Sequence, residues 1–159
     1  MDKLIVVGSG GHARSCIDVI EQQNKFSIIG IIDKQNNNGN LIAGYSQIGS
    51  DTDLPHLISK SINLFIGIGF IKSSLVRKEY YERAKNLKYL FPKIISPHSY
   101  ISDHSNIDEG TIVMHDALIN SHCNIEKNCI INSKALIEHD VTVGAHSHIS
   151  TAAVINGAA

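Results

Sequence analysis

The sequence predicts two structural parts, a small α/β domain followed by a parallel β-helix. A glycine-rich turn (residues 8–12, the first glycine turn) separates a short apolar run from an amphipathic pattern, and an acidic residue ends a second apolar run. From Ile95 onward an aliphatic residue recurs at every sixth position without a slip in phase. We therefore expect a Rossmann-like domain over residues 1–92 and a hexapeptide-repeat solenoid over residues 93–159.

Composition indicates an ordinary globular protein. Of the 159 residues, 43% are apolar and 18% are charged, and the net charge of −1 gives no argument for nucleic-acid or acidic-membrane partners. No apolar run approaches the roughly 20 residues that cross a bilayer, and the N-terminal run is too short for a signal peptide. Three cysteines, an odd number, speak against a disulfide scaffold. We expect a cytoplasmic protein without nucleic-acid or membrane partners.

The first 33 residues read as strand, turn, helix and strand. Residues 4–7 are continuously apolar, as in a parallel strand that is covered on both faces. Residues 27–32 form the second apolar run, which ends in Asp33. One helical face carries apolar or small residues at the expected spacing: Ala13, Cys16, Ile17 and Ile20.

The first glycine turn predicts an anion-binding site, because backbone N–H groups and the positive end of a helix dipole converge there. Gly8, Gly10 and Ala13 match the dinucleotide fingerprint formally, but Gly11-His12 places an imidazole at the helix mouth. That departure favours a smaller phosphate or sugar ligand over NAD. Asp33 can accept hydrogen bonds from a ribose or another hydroxyl-bearing ring. A tight turn without a ligand stays open as an alternative.

The rest of the domain predicts further α/β elements. We expect a surface loop over residues 34–50, a short helix over 51–61 with Asp51 as N-cap, and a buried strand over 64–66. Gly67 and Gly69 form a second glycine turn (residues 67–69), expected at the same sheet edge as the first. We expect a helix over 73–86, with Leu75, Tyr80 and Ala84 on its inward side, and a fourth strand over 89–91.

The hexads predict coils in which the first residue points inward and the small fifth residue lets the backbone turn tightly. The first positions are Ile95, Ile101, Ile107, Val113, Ile119, Ile125, Ile131, Ile137, Val143, Ile149 and Ile155. The fifth positions are Ser99, Ser105, Thr111, Ala117, Cys123, Cys129, Ala135, Val141, Ser147, Ala153 and Ala159. Cys123 and Cys129 are therefore expected to fill the core, and neither is placed as a nucleophile.

Seven of the nine histidines fall within the solenoid. Three hexads per coil would stack His104, His122 and Asp140 on one corner, but no compact spacing demands a metal. We expect these histidines to be mostly surface residues and expect no metal site. His139 differs because Asp140 follows it directly. Adjacent strand residues point to opposite faces, so these two side chains can meet only at a corner.

Three motifs carry a family resemblance: GSGGH at the first glycine turn, NSKALIEHD around His139, and HSHIS after it. With them, the whole chain resembles the nucleotide-sugar N-acetyltransferase and sialic acid O-acetyltransferase family. The resemblance implies a left-handed β-helix behind a small sugar-binding domain. It also implies acetyl-CoA as co-substrate and a homotrimer.

The same resemblance implies the roles of individual residues. His139 would be the general base toward the acceptor, which suits an imidazole because its usual pKa of about 6.5 lies near working pH. Asp140 would make that base more basic. His148 would contact acetyl-CoA, and the Gly157 N–H would donate to the thioester oxyanion. The residues implied at the nucleotide-sugar site are Gly10, Gly11, His12, Asp33, Lys34 and Gly69.

The function expected from these features is acetyl transfer from acetyl-CoA to the amino group of a nucleotide-linked amino sugar. O-acetylation of sialic acid is an alternative. A nicotinamide-dependent oxidoreductase would need a complete Rossmann domain, of which residues 1–92 supply half. A catalytically inactive sugar-binding subunit is another alternative, because family members continue for several coils beyond the position of Ala159. The β-helix is accordingly expected to be incomplete at its C-terminus.

Overall fold

The computed structural model describes all residues from 1 to 159 and forms two compact units, Met1–Pro92 and Lys93–Ala159. The first unit contains one mixed sheet with helices, and the second consists of short, stacked parallel strands. No helix is both long and apolar enough to span a membrane.

The sheet of the first unit has five strands in the order β3-β4-β2-β1-β5. Its strands are β1 (Asp2–Val7), β2 (Phe26–Asp33), β3 (Leu41–Ile42), β4 (Tyr45–Ser50) and β5 (Leu64–Ile66). Strands β1, β2, β4 and β5 run parallel, while β3 pairs antiparallel with β4. The chain leaves β4 on one side of β1 and re-enters the sheet as β5 on the other side. This reversal creates a topological switch point beside the end of β1.

Three helices and one 3₁₀ turn accompany this sheet: α1 (Gly11–Gln23), η1 (Asp51–Asp53), α2 (Leu54–Leu57) and α3 (Leu75–Asn86). The predicted inward face of α1 is confirmed, since all four of its predicted residues are buried. In α3 the buried face is Arg77, Tyr80, Tyr81 and Ala84, which follow the i, i+3, i+4, i+7 spacing. The inward placement of Leu75 is wrong, because this first helical residue lies off that face and is 57% exposed.

The surface loop predicted over residues 34–50 is also wrong, because its second half forms the β3–β4 hairpin. Ala43 and Gly44 both have positive φ angles, of 49° and 87°, as a two-residue hairpin turn requires. Gln47, a polar residue of this segment, is 4% exposed. Its amide donates to the Gln35 carbonyl and, at 3.1 Å, to the Gly49 carbonyl. Internal hydrogen bonding therefore lets a polar residue occupy a buried strand.

Two further expectations need correction. The cap before η1 is Ser50 rather than Asp51, because the Ser50 N–H donates to the Asp53 carboxylate at 2.8 Å. Residues 89–91 make only an isolated parallel bridge, between Asn63 and Leu90, instead of a fourth strand. Tyr89 and the residue two positions later, Phe91, are both buried, so the apolar pattern reflected core packing.

The second unit contains eleven strands of two residues each. Face 1 comprises β6 (Ile94–Ile95), β9 (Ile112–Val113), β12 (Ile130–Ile131) and β15 (His148–Ile149). Face 2 comprises β7 (Tyr100–Ile101), β10 (Leu118–Ile119), β13 (Leu136–Ile137) and β16 (Val154–Ile155). Face 3 comprises β8 (Asn106–Ile107), β11 (Asn124–Ile125) and β14 (Thr142–Val143). All pairings are parallel with a register of eighteen residues, as in Leu118 with Leu136.

The hexad pattern explains the interior of this solenoid. The first residues of the hexads form its core together with Ala117, Cys123, Cys129, Ala135 and Val141 at fifth positions. The core-filling role predicted for the two cysteines is confirmed. The tight turn lies one residue earlier than expected. Fourth-position residues such as Asp116, Lys134 and Asp140 have φ near +60°, the left-handed conformation that turns the corner.

Candidate active site

The first glycine turn sits at the carboxyl end of β1. Gly8 has a φ of 109°, and its N–H donates to the Ile32 carbonyl at 2.8 Å, which ties the turn to β2. The N-cap of α1 is Gly10, which has no side chain to cap the first N–H groups of the helix. The positive end of the helix dipole is therefore presented at this edge, as an anionic group requires.

The two glycine turns pack against each other at the topological switch point. The Gly67 N–H donates to the Val7 carbonyl at 2.7 Å. A Cβ on Gly8 would lie 3.0 Å from the Gly67 carbonyl oxygen, and one on Gly69 would lie 3.0 Å from His12 Cγ. The expectation that both turns share one sheet edge is confirmed. At Gly8 the two backbones approach too closely for a side chain, whereas at Gly69 a side chain would press against the His12 imidazole.

Asp33 lies at the carboxyl end of β2 and faces the first glycine turn. One oxygen of its carboxylate, Oδ2, accepts a hydrogen bond from the Ser9 hydroxyl. The other oxygen, Oδ1, accepts the Lys34 backbone N–H at 2.7 Å. The predicted residues Gly10, Gly11, His12, Asp33, Lys34 and Gly69 are thus gathered at the same end of the sheet. Ser9, which sequence reasoning passed over, belongs with them, and its place inside the GSGGH motif was the available signal.

Cys16 lies one helical turn below His12 in α1. Its Sγ is 3.3 Å from His12 Nε2. Burial raises the pKa of the Cys16 thiol to about 12, against the opposing effect of the Arg77 charge. The thiol is therefore protonated at neutral pH and can act as a donor to the imidazole.

His139 and Asp140 occupy the corner between β13 and β14 (residues 138–141, the His139 corner). His139 Nδ1 lies 2.8 Å from Asp140 Oδ2, and both side chains are 60% exposed. Asp140 has a φ of 59°, so it turns the corner while its short side chain reaches back to the preceding imidazole. With Nδ1–H donated to the carboxylate, Nε2 is the basic nitrogen of the neutral ring.

Gly157 lies one coil above His139. A Cβ on Gly157 would come within 2.7 Å of His139 Cε1 and Nε2. In the next position, the Ala158 N–H donates to the His139 carbonyl at 2.9 Å, which fixes the two coils together. The structure therefore brings the candidate base, its acidic neighbour and the candidate oxyanion donor to one place.

His148 is on face 1, away from the His139 corner, which joins faces 2 and 3. The Asn132 side chain fixes the imidazole of His148. Asn132 Oδ1 accepts the Ser133 N–H at 2.8 Å, so its Nδ2 is the donor to His148 Nε2 at 3.0 Å. The remaining nitrogen, Nδ1, then carries the proton in the neutral ring.

A similar asparagine supports the His139 corner. Sequence reasoning missed this asparagine. Asn120, one coil below, accepts the Ser121 N–H at 2.8 Å and donates to Glu138 Oε2 at 3.0 Å. The spacing of eighteen between Asn120 and Glu138 is the signal that could have paired them. No group of three or more His, Cys, Asp or Glu side chains is arranged to hold a metal ion.

Comparison with known proteins agrees with this architecture. The family model of the PglD N-terminal domain matches residues 3–84, and the chain belongs to that family. A search of curated proteins found no match.

Solved structures cover nearly the whole chain. PerB from Caulobacter crescentus, in complex with CoA and GDP-perosamine, is 26% identical over 97% of this chain and 71% of its own, with a TM-score of 0.88. A histidine-to-asparagine mutant of perosamine N-acetyltransferase from the same organism, with the same ligands, is 25% identical over 99% and 73%, with a TM-score of 0.91. The acetyltransferase domain of PglB from Neisseria gonorrhoeae, bound to acetyl coenzyme A, is 24% identical over 98% and 73%. Its TM-score of 0.87 supports the fold. The resemblance and the left-handed β-helix predicted from the sequence are confirmed.

Proposed function

We propose that this protein transfers the acetyl group of acetyl-CoA to the amino group of a nucleotide-linked amino sugar, with His139 as general base. The observation that carries the proposal is that Asp140 and Gly157, the latter one coil above, both lie against the His139 imidazole. The similarity to PerB, whose structure holds CoA and GDP-perosamine, supports the same reaction class.

The geometry supports direct transfer without a covalent enzyme intermediate. The acceptor nitrogen attacks the thioester carbonyl and loses a proton to His139 Nε2, while the C–S bond breaks. The protonated imidazole then returns this proton to the CoA thiolate, so the products are an acetamide and free thiol. Asp140, bonded to Nδ1, keeps Nε2 unprotonated before attack and stabilises the imidazolium afterwards. The Gly157 N–H would stabilise the oxyanion. All three cysteines are buried, which argues against a thiol nucleophile.

The two glycine turns are the proposed site for the nucleotide sugar. The Gly10–Gly11 backbone at the N-terminus of α1 suits a phosphate, and the Lys34 side chain would add positive charge beside it. Asp33, already held by Ser9 and the Lys34 N–H, would accept hydrogen bonds from ligand hydroxyls. Gly69 would admit the ligand close to His12, because a side chain there would meet the imidazole.

The proposal includes a homotrimer, for which face 2 offers an apolar surface. One column of outward-facing residues on that face consists of Tyr100, Leu118, Leu136 and Val154. Tyr100 is 61% exposed and Val154 is 59% exposed. The corresponding column on face 3 is polar: Asn106, Asn124 and Thr142. Face 2 is therefore the proposed contact between copies of the chain.

Substituting one residue of that column tests the assembly. Leu118→Glu should shift the mass measured by light scattering from trimer to monomer, because it buries a charge in an apolar contact. Thr142→Glu, on the polar face, is the matched control and should stay trimeric. A wild-type monomer, or an unchanged trimer in the Leu118 variant, would refute this part of the proposal.

A cytoplasmic location is also proposed. The proposed donor is acetyl-CoA, and the three cysteines are free thiols, as reducing compartments favour.

Thiol release from acetyl-CoA tests the activity directly. The protein should release CoA with a UDP- or GDP-linked amino sugar, and His139→Ala should lower turnover by about 10²- to 10⁴-fold while sugar binding stays nearly intact. Release with sialic acid alone would instead favour O-acetylation. Nucleotide-sugar binding without thiol release from either acceptor would indicate an inactive binding subunit, and tight NADH binding would favour an oxidoreductase.

A further inference from the structure

Arg77 is the largest fully buried side chain of the chain, with 1% of its surface exposed. Burying a guanidinium is costly unless its N–H groups are well placed on acceptors. Its Nη1 donates to the carbonyl of Ile66 and, at 3.2 Å, to the carbonyl of Ile68. Its Cζ also lies 5.9 Å from the centroid of the Phe65 ring. Arg77 therefore binds the backbone at the point where β5 ends and the second glycine turn begins.

These hydrogen bonds hold the second glycine turn, which forms part of the proposed nucleotide-sugar site. On one side, the Gly67 N–H bonds to Val7 and the Gly67 carbonyl lies against Gly8. On the other side, Arg77 holds the carbonyls that flank Gly67. With both neighbouring carbonyls fixed, Gly67 and the following Ile68 have little freedom to rotate. Gly69 is consequently held close to the His12 ring.

We propose that Arg77 is a positioning residue for the nucleotide-sugar site, holding the second glycine turn against the first. The assignment rests on the proposed function for its ligand, and on the hydrogen bonds to Ile66 and Ile68 for its mechanism. It predicts that Arg77 acts on sugar binding through the shape of the turn, without touching the ligand.

Arg77→Lys is the sharpest variant, because lysine keeps the charge but replaces the planar guanidinium, whose Nη1 donates to both carbonyls, with a shorter side chain that ends in a compact ammonium. Hydrogen exchange should become faster at residues 67–69 and stay unchanged in the interior of β1. The Kd for a UDP- or GDP-linked amino sugar should rise about tenfold or more, as expected when the geometry of a binding turn is lost. The Kd for acetyl-CoA should stay within about twofold.

Tyr89→Phe is the matched control. It removes another buried hydrogen bond of the same unit, from the Tyr89 hydroxyl to the Leu54 carbonyl at 2.6 Å. It should lower the thermal midpoint but leave the nucleotide-sugar Kd unchanged. A Kd raised equally in both variants would mean that Arg77 serves stability only.

The outcomes separate the inference from the proposed function. Wild-type exchange rates at residues 67–69 in the Arg77→Lys protein would overturn the inference, whatever the ligand. A wild-type protein that binds no nucleotide sugar would refute the proposed function and, with it, the assignment of Arg77 to that ligand. If Arg77→Lys fails to fold, Arg77→Met serves the same comparison, since it preserves the buried volume.

Discussion

Gly157 lies directly against the imidazole of His139 in the coil below. The positions 139 and 157 differ by eighteen residues, which is one complete turn of the solenoid. A methyl group on Gly157 would come 2.7 Å from Nε2, the nitrogen that we assign as the base. The absence of a side chain at this position therefore leaves room for the ring. The residue at position 157 therefore limits the space available to the His139 ring.

Gly157→Ala should impair turnover far more than stability. The added methyl would push the His139 ring away from its bond with Asp140, and misplacing a reacting group by about 1 Å can cost roughly 10²-fold in rate. Steady-state kinetics and a thermal melt would measure both effects. Gly144→Ala is the control, because a Cβ at Gly144 meets nothing within 4 Å. Equal rates in the two variants would show that the His139 ring does not depend on Gly157.

Asp140→Asn should lower kcat while the corner keeps its shape. Asparagine tolerates the left-handed conformation that this position adopts, with a φ of 59°. An amide can accept from His139 Nδ1–H but cannot stabilise the imidazolium with a charge, so we expect a loss of about 10- to 100-fold. Circular dichroism and acetyl-CoA binding should match the wild type. Full activity in this variant would remove Asp140 from the catalytic pair.

The solenoid was predictable in detail because each hexad repeats the same physical demand. Aliphatic residues at positions such as Ile119 and Ile137 must stack, and stacking fixes a register of eighteen residues. The same register explains why the rings of His104 and His122 stack in parallel, with centroids 5.4 Å apart. Local pattern and tertiary structure coincide in a fold where each coil contacts mainly its neighbours.

The first unit was less predictable because its decisive contacts are not local. Gln47 is a polar residue in a buried strand, and its amide donates to the carbonyl of Gln35, which lies outside that strand and twelve positions earlier in the sequence. Arg77, a charged residue of α3, is buried because the carbonyls of Ile66 and Ile68 accept its N–H groups. The packing of Gly69 on His12 joins residues far apart in sequence. Periodicity identifies strands and helices, but it does not report such pairings.

Gly69→Ala should weaken nucleotide-sugar binding with little effect on acetyl-CoA. Its Cβ would lie 3.0 Å from His12 Cγ, so the imidazole must shift at the mouth of α1. Calorimetry should give a sugar Kd raised about tenfold, comparable to a lost hydrogen bond to a charged group.

Gly30→Ala provides the contrast for this prediction. Its Cβ would meet the side chain of Ile48, in the neighbouring strand β4, at 2.6 Å. It should cost about 1–3 kcal/mol of stability through overpacking and leave the Kd of the folded protein unchanged. A normal sugar Kd in the Gly69 variant would argue against a ligand beside His12.

Cys16 should be inert to thiol reagents in the native protein. Its pKa is raised to about 12 from 9.0, chiefly by burial. The folded state therefore binds this proton more tightly than the unfolded state, so the stabilising contribution is complete below pH 9 and is lost as pH rises toward 12.

Cys123 and Cys129 are buried as well. Ellman's reagent at pH 8 should give no fast reaction, and three thiols should react after unfolding in guanidinium. A rapidly reacting thiol in the native protein would contradict the burial of this helix face. Cys16→Ala would then identify whether the reactive group is the one beneath His12.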